Sequence, residues 1–222
     1  MAPCVFLVRH GQTDWSKIGR YTGITEKELT ETGKEEAISL GRTFMGPNKL
    51  IDPSHLVRVF VSPRVRARQT FELITQDFPE TRHKAIFDER FREWDHGDYE
   101  GMTTSKIRAA RAERGLDEMT KWSIWTDGCE GGESVQDVYV RVMDAIDSIT
   151  EVQKDFMDGE THGNIMVVGY GTFLRCFWKA WGGLSIDSPV AIQFDTGSVV
   201  TLSYKNNDVN DRIIPIGLKT NV

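Results

Sequence analysis

Three short apolar runs in the chain have the pattern of buried strands. They are Val5 to Val8, Leu56 to Val61 and Ile165 to Val168. A strand inside a parallel sheet is buried on both faces and is therefore apolar without alternation. The first run is followed directly by Arg9 and His10. We expect these two polar side chains at an edge of the sheet, where chemistry tends to gather in α/β proteins.

Segments with helical signals follow the apolar runs. The clearest begins at Thr30 and runs to about Met45, with apolar residues at helical spacing. Ser62-Pro63 has the composition of an N-cap followed by a first-turn proline, and Ser134 and the stretch from Thr172 to Trp181 mark two further helices. Because strands alternate with helices, the pattern predicts the α/β class. A hairpin-like pair of strands is expected around Asp195-Thr196-Gly197.

The stretch from about residue 89 to 133 interrupts this regular pattern. It has weak periodicity and many charged and aromatic residues, with one helix predicted near Thr104 to Arg114. We expect an inserted lid or loop region here. Because the chain contains neither an internal repeat nor a linker-like segment, residues 1–222 are predicted to form a single domain, long enough to bury a core.

The charge of the chain limits the classes of ligand. A formal net charge of −6 and a pI near 5.4 argue against a general nucleic-acid binder, which needs a field of Lys and Arg. An anionic ligand must therefore meet positive charge that is concentrated locally. Arg64, Arg66 and Arg68 supply such a concentration, because they open a predicted helix whose free N–H groups also favour an anion.

Cysteine and histidine spacing gives no sign of a metal or a disulfide framework. Cys4, Cys129 and Cys176 are widely spaced and odd in number, which favours a reducing cytoplasm. None of the five histidines has ligand spacing, so neither a metal nor another cofactor is expected. The apolar run near the N-terminus is too short for a signal peptide or a membrane span, and we expect no membrane association. The oligomeric state has no sequence signal.

Four motifs occur in order along the chain: "RHGQTDWS" from Arg9, "SPRVRARQT" from Ser62, "REWDHGDYEG" from Arg92 and "WTDGCEGGES" from Trp125. Together they resemble the histidine phosphatase superfamily, also called phosphoglycerate-mutase-like, and most of all its sedoheptulose-bisphosphatase branch. The resemblance covers nearly the whole chain. It implies a three-layer α/β sandwich in which helices flank a mostly parallel central sheet.

The resemblance also implies roles for individual residues. His10 would be the nucleophile that takes the phosphoryl group, and Glu93 the acid that protonates the leaving alkoxide and then activates water. A neutral imidazole is a competent nucleophile, and burial of Glu93 beside Trp94 could hold its carboxyl partly protonated. On the residues alone, a lone histidine is usually structural or merely exposed, and a solvated ion pair is the ordinary role of such a glutamate. The phosphate-contacting residues would be Arg9, Gln12, Thr22, Gly23, Arg66, Gly171 and Thr172.

The segment "VVGYGT" departs from the family pattern. The family has a second catalytic histidine followed by glycine after the late strand, whereas this chain has Tyr170 and Gly171 there. A tyrosine hydroxyl can donate a hydrogen bond but stays uncharged near pH 7. Losing one preorganised donor typically removes about 2.7–4 kcal/mol of transition-state stabilisation, or roughly two to three decades in rate. The alternative is that Tyr170 packs as an amphipathic aromatic residue and points away from His10.

The leading functional hypothesis is a phosphomonoesterase for a small anionic metabolite, a sugar phosphate or bisphosphate. It would work through a phosphohistidine and would be weakened by Tyr170. A second hypothesis keeps the fold but changes the reaction to an isomerisation, dehydration or hydrolysis of an anionic molecule, with Glu93 or Tyr170 transferring the proton. A third is a catalytically silent phospho-ligand binder, although such a binder has no need of His10 or Glu93.

Overall fold

The computed structural model describes residues 2–216, and its centre is a six-stranded sheet with the order β3-β2-β4-β1-β5-β6. Strands β3, β2, β4 and β1 are parallel, whereas β5 runs antiparallel to β1 and β6 antiparallel to β5. The predicted mostly parallel α/β sheet is therefore confirmed. The strands are β1 Val5–Arg9, β2 Leu56–Val61, β3 Ala85–Phe87, β4 Asn164–Gly169, β5 Val199–Tyr204 and β6 Arg212–Ile213.

Helices flank this sheet, and the predicted cap residues are present at two of them. Thr30 accepts a hydrogen bond from the Gly33 amide, and Ser134 forms a reciprocal capping box with Asp137. The helices are α1 Asp14–Lys17, α2 Glu31–Phe44, α3 Val65–Ile74, α4 Thr104–Glu113, α5 Ile124–Asp127, α6 Val135–Gln153 and α7 Gly171–Trp181. Single 3₁₀ segments occupy Pro53–His55, Pro79–Lys84, Glu89–Phe91, Gly97–Tyr99 and Lys154–Phe156.

The prediction that Ser62 caps a helix is wrong. Helix α3 begins at Val65 with Arg64 at its N-cap position. The Ser62 amide still donates to the Val168 carbonyl, which extends the sheet by one residue. A remote side chain supplies the missing acceptor, because Glu26 Oε2 accepts from the Val65 amide at 2.8 Å. A local N-cap signal cannot reveal an acceptor that lies almost forty residues away along the chain.

The predicted hairpin around residues 195–197 is also wrong. Those residues form a turn that leads into β5, and no strand precedes them between residues 182 and 198. The turn is anchored from the side, since the Thr196 hydroxyl donates to Glu36 Oε1 at 3.0 Å. The hairpin lies later, where β5 and β6 pair across a turn that contains Asn206 and Asn207 in the left-handed region at φ 54°.

Within the region from 89 to 133, the predicted helix is confirmed as α4. The Glu133 carboxylate stabilises this region, because it accepts hydrogen bonds from Arg141 at 2.7 Å and from Arg92 at 2.6 Å. Trp94 is fully buried and donates its indole N–H to the Glu133 carbonyl. Within residues 2–216, no helix is both long and apolar enough to cross a membrane.

Candidate active site

A cavity of about 220 Å³ opens where β1 and β4 end. Parallel strands point their carboxyl ends to the same edge, which brings the residues after β1 close to the start of α7. The cavity wall is polar and carries three arginines and one carboxylate. An anionic ligand would therefore meet the locally concentrated positive charge that it needs in a chain of negative net charge. It is lined by Arg9, His10, Ser16, Gly19, Arg20, Tyr21, Thr22, Glu93, His96, Thr104, Gly171, Thr172 and Arg175.

The His10 ring is held in one tautomer at the cavity wall. Its Nδ1 lies 2.7 Å from the Gly11 carbonyl, which can only accept, so Nδ1 carries the proton. Nε2 is then the nitrogen with the lone pair, and the ring lines the cavity. Burial lowers the pKa of His10 well below its ordinary value, and Arg66 and Arg9 lower it further. The result is a neutral imidazole able to act as a nucleophile near pH 7.

Arg9 places a cationic group beside this imidazole. Its Nη1 donates to the Phe194 carbonyl, and its Nε is buried without a protein partner among residues 2–216. The guanidinium lies against the first residue of α7, because a Cβ at Gly171 would stand only 3.0 Å from Arg9 Cζ. A glycine at position 171 therefore lets the arginine approach the N-terminus of α7. The two features together place positive charge on one side of the cavity, which favours an anionic ligand.

Glu93 accepts hydrogen bonds from three backbone amides, two of which lie at the start of α7. Its Oε1 accepts from the amides of Trp94 and Phe173, both at 2.8 Å. Its Oε2 accepts a single bond of 3.1 Å from the Thr172 amide, so this oxygen has the greater freedom to exchange a proton with a ligand. The side chain is 7% exposed and lines the cavity that His10 lines.

Arg66 donates its hydrogen bonds to backbone carbonyls and does not line the cavity. It is 1% exposed, is absent from the cavity wall and donates to the carbonyls of Thr22, Gly23 and Thr25 at 2.8–3.1 Å. Its charge still acts on His10, as the lowered pKa of that histidine indicates. Its hydrogen bonds therefore shape the loop that carries Thr22.

Two other residues implied by the resemblance also lie outside the cavity wall. The Gly23 amide donates to both carboxylate oxygens of Glu100, and a Cβ on Gly23 would come within 2.6 Å of the Trp94 carbonyl. Gln12 faces α2 instead, where its amide donates to Glu36 and its side-chain oxygen accepts from Thr30. Both residues hold the loops around the site, while Thr22, Gly171 and Thr172 do line the cavity.

Tyr170 lies beside His10 but turns its hydroxyl away from the cavity. The two rings are 5.4 Å apart between centroids, and Arg66 Cζ lies 4.4 Å from the tyrosine ring centre. The hydroxyl donates to Ser62 Oγ at 2.6 Å, and both residues are fully buried. Burial raises the pKa of Tyr170, so the hydroxyl keeps its proton. This arrangement matches the packing role more closely than the donor role.

Tyr170→Phe is therefore expected to lower stability and to leave turnover nearly unchanged. Removing the hydroxyl leaves buried Ser62 without its donor, a loss of about 1–2 kcal/mol in the free energy of unfolding. Tyr204→Phe is a matched control, because the Tyr204 hydroxyl is also buried and donates to Gln153 at 2.7 Å, away from the cavity. Urea denaturation should show similar losses for both variants. A drop in turnover confined to Tyr170→Phe would assign its hydroxyl to catalysis.

Several cavity residues were missed by the sequence reasoning, among them Arg20, Tyr21, His96 and Arg175. Arg175 had a usable signal, since it lies one helical turn after Gly171 and shares that face of α7. For His96, the only sequence signal was its position three residues after Glu93. As for metals, residues 2–216 contain no group of three or more His, Cys, Asp or Glu that could hold an ion.

The fold and the cavity are typical of an α/β enzyme, with a polar candidate site at the carboxyl ends of a parallel sheet. The chain belongs to the histidine phosphatase superfamily (branch 1), whose family model matches residues 5–211. It is thus an enzyme of the histidine-phosphatase type, and the resemblance found in the motifs is confirmed.

Similar proteins support this assignment. Over 189 residues the chain is 39% identical to the sedoheptulose 1,7-bisphosphatase of Saccharomyces cerevisiae, covering 84% of this chain and 70% of that protein. Over 202 residues it is 33% identical to an acid phosphatase of Mycobacterium tuberculosis, covering 91% and 87% of the two chains. A solved structure of a Mycobacterium tuberculosis open reading frame product is 28% identical, has a TM-score of 0.75 and covers 96% of each chain.

Proposed function

We propose that this chain is a phosphomonoesterase that hydrolyses a small phosphorylated metabolite, a sugar phosphate or bisphosphate, through a phosphohistidine at His10. The observation that carries the proposal is the His10 tautomer. The bond from Nδ1–H to the Gly11 carbonyl leaves the Nε2 lone pair for a ligand in the cavity. Arg9 and the start of α7 lie beside it, where they can bind the phosphoryl oxygens.

In the first step, His10 Nε2 attacks the phosphorus, and a P–N bond forms as the P–O bond to the organic group breaks. The electron pair of the broken bond goes to the leaving oxygen. Glu93, in its acid form, gives that oxygen a proton, and the alcohol departs. Arg9 and the positive end of the α7 dipole stabilise the charge on the transferring phosphoryl group.

In the second step, water attacks the phosphohistidine. The Glu93 carboxylate takes a proton from the water as the new P–O bond forms, and the P–N bond breaks to return the lone pair to Nε2. Inorganic phosphate leaves, and both His10 and Glu93 recover their starting protonation states. The neighbours named for phosphatase activity, on a sugar bisphosphate in one case, support this choice of substrate class.

The two other hypotheses have less support. A redirected reaction would use Glu93 or Tyr170 to move a proton, yet the Tyr170 hydroxyl donates to Ser62 and is absent from the cavity wall. A silent binder would not need the neutral, oriented imidazole of His10. Neither alternative has an observation of its own in its favour.

The test is a phosphate-release screen over sugar phosphates and bisphosphates, combined with an acid-quench search for phosphohistidine. Release of phosphate from at least one ester, with acid-labile and base-stable label on the protein, is the expected result. Turnover of an anionic substrate without release of phosphate would favour the redirected reaction. Binding without any turnover would favour the silent binder.

We also propose that Tyr170 weakens this activity, because it replaces a charged donor with a buried neutral side chain. Tyr170→His is then expected to raise the rate of phosphate release by up to about two to three decades, the contribution of one oriented donor. The measurement is steady-state phosphate release from the best ester of the screen, at equal folded concentration. An unchanged or lower rate in Tyr170→His would refute the proposed weakening.

A further inference from the structure

His96 is a buried histidine on the wall of the reaction cavity. It is 1% exposed, and its ring packs against Tyr21 with centroids 4.7 Å apart. The acidic groups around it are Glu93, Glu100 and Asp95, and Arg66 is the nearby cation. Burial outweighs the acidic groups and lowers the pKa of His96, so the ring is neutral near pH 7.

Cys129 determines which nitrogen of the His96 ring carries the proton. The Cys129 Sγ lies 3.8 Å from His96 Nδ1, and the thiol is 8% exposed. Burial raises the pKa of Cys129 to about 12, so the sulfur keeps its hydrogen. A thiol is a weak acceptor, whereas an imidazole nitrogen is a good one, so this contact favours the tautomer in which the S–H donates to Nδ1 and the ring proton lies on Nε2.

The proton on Nε2 is available to a ligand. His96 Nδ1 faces Cys129, and among residues 2–216 no side-chain or backbone group is hydrogen-bonded to Nε2. Among the described residues, some fully buried side-chain nitrogen and oxygen atoms have no hydrogen-bond partner, and His96 Nε2 is not one of them. Because the residue lines the cavity, an N–H at Nε2 is the donor that His96 has left for a ligand bound there.

We propose that His96 is a substrate-binding residue whose Nε2–H donates to an oxygen on the organic part of the bound phosphate ester, and that Cys129 positions it by holding this tautomer. The inference rests on the proposed phosphomonoesterase function. The contact is placed on the leaving-group side because Glu93, the proposed acid for the leaving oxygen, precedes His96 by three residues and lines the same cavity. His96 thus contributes to the choice of substrate.

The test compares two esters that differ in their organic part. Fructose 1,6-bisphosphate offers many oxygens to a donor, whereas 4-nitrophenyl phosphate offers an aromatic ring. His96→Ala is expected to lower kcat/KM for the sugar ester by about tenfold, the size of one hydrogen bond, mainly through KM. The loss should be at least fivefold smaller for the aryl ester. Equal losses for both esters, or no loss for the sugar ester, would overturn the proposal.

Cys129 supplies a matched pair of variants. Cys129→Ser keeps a donor to His96 Nδ1 and should retain most of the preference for the sugar ester, while Cys129→Ala should lose part of it. Nitrogen-15 NMR of the imidazole reports the tautomer directly and should find the proton on Nε2 in the unmodified protein. A proton on Nδ1, or identical behaviour of the two Cys129 variants, would contradict the positioning role.

Binding measurements separate this proposal from the proposed function. If the protein releases phosphate from no ester of the screen, the phosphomonoesterase proposal fails, and calorimetry with fructose 1,6-bisphosphate and inorganic phosphate still tests His96. The donor role predicts that His96→Ala weakens binding of the sugar ester about tenfold more than binding of inorganic phosphate. Parallel weakening, or a sugar ester that does not bind where inorganic phosphate does, would overturn it.

Discussion

Replacing His10 with alanine is expected to abolish turnover, with the rate of phosphate release falling by about 10⁴-fold or more. The reason is that His10 Nε2 forms the covalent bond to phosphorus in the proposed reaction, and residues that only bind the phosphoryl group cannot replace that step. Steady-state phosphate release measures the loss. Because burial and the two arginines lower the pKa of His10, the unmodified protein should also keep its nucleophile unprotonated at a pH where an ordinary histidine has already taken up its proton.

A trapping experiment tests the same residue independently of the steady state. Labelled substrate should leave acid-labile, base-stable label on the unmodified protein and none on His10→Ala. His83→Ala is the matched control, since His83 is an exposed histidine outside the cavity wall, and it should keep both label and turnover. Label that persists on His10→Ala would show that another residue is the nucleophile.

Glu93→Gln is expected to slow hydrolysis of an alkyl phosphate by about 10²–10⁴-fold. The amide keeps the shape of the side chain but can neither protonate the leaving oxygen nor take a proton from water. A good leaving group needs no acid, so with 4-nitrophenyl phosphate the first step should survive while the second slows. Rapid mixing should then show a burst of nitrophenolate close to one equivalent, together with accumulated phosphohistidine.

Glu35→Gln serves as the control for the loss of one carboxylate, because Glu35 is exposed on α2. It should leave both esters unaffected. If Glu93→Gln slowed the alkyl and aryl esters equally and gave no burst, Glu93 would not be the acid and base of the reaction. The two hydrogen bonds that it accepts from the Thr172 and Phe173 amides would then assign it to holding the start of α7.

Much of the fold follows from local patterns in the sequence. The second strand was predicted with the bounds it has, and Thr30 and Ser134 cap helices as expected. Continuous apolar runs and cap residues depend on neighbours a few positions away, so they are visible without the fold. The two errors, at Ser62 and around residues 195–197, occurred where the partner is distant. Glu26 supplies the acceptor for α3, and Glu36 anchors the later turn.

For the candidate site, too, the sequence predicted some features and only the structure revealed others. Its motifs predicted that Arg9, His10 and Glu93 belong together, and the structure places all three on one cavity wall. The motifs did not predict that Arg66 would direct its donors at loop carbonyls more than forty residues away, or that His96 would face the same cavity. The direction of a side chain depends on how helices and strands pack against each other, and local sequence patterns do not reveal that packing.

By itself, the sequence determined the fold class, the family resemblance and the position of His10 at the end of β1, because each of these depends on residue order and local periodicity. Only the tertiary structure decided where the donors point. The Tyr170 hydroxyl meets a serine 108 residues away, and Cys129 meets His96 across 33 residues. A hydrogen bond needs its partner within about 3.5 Å, or about 4 Å where sulfur takes part, and well aligned, a condition that is met only once the strands and helices have packed.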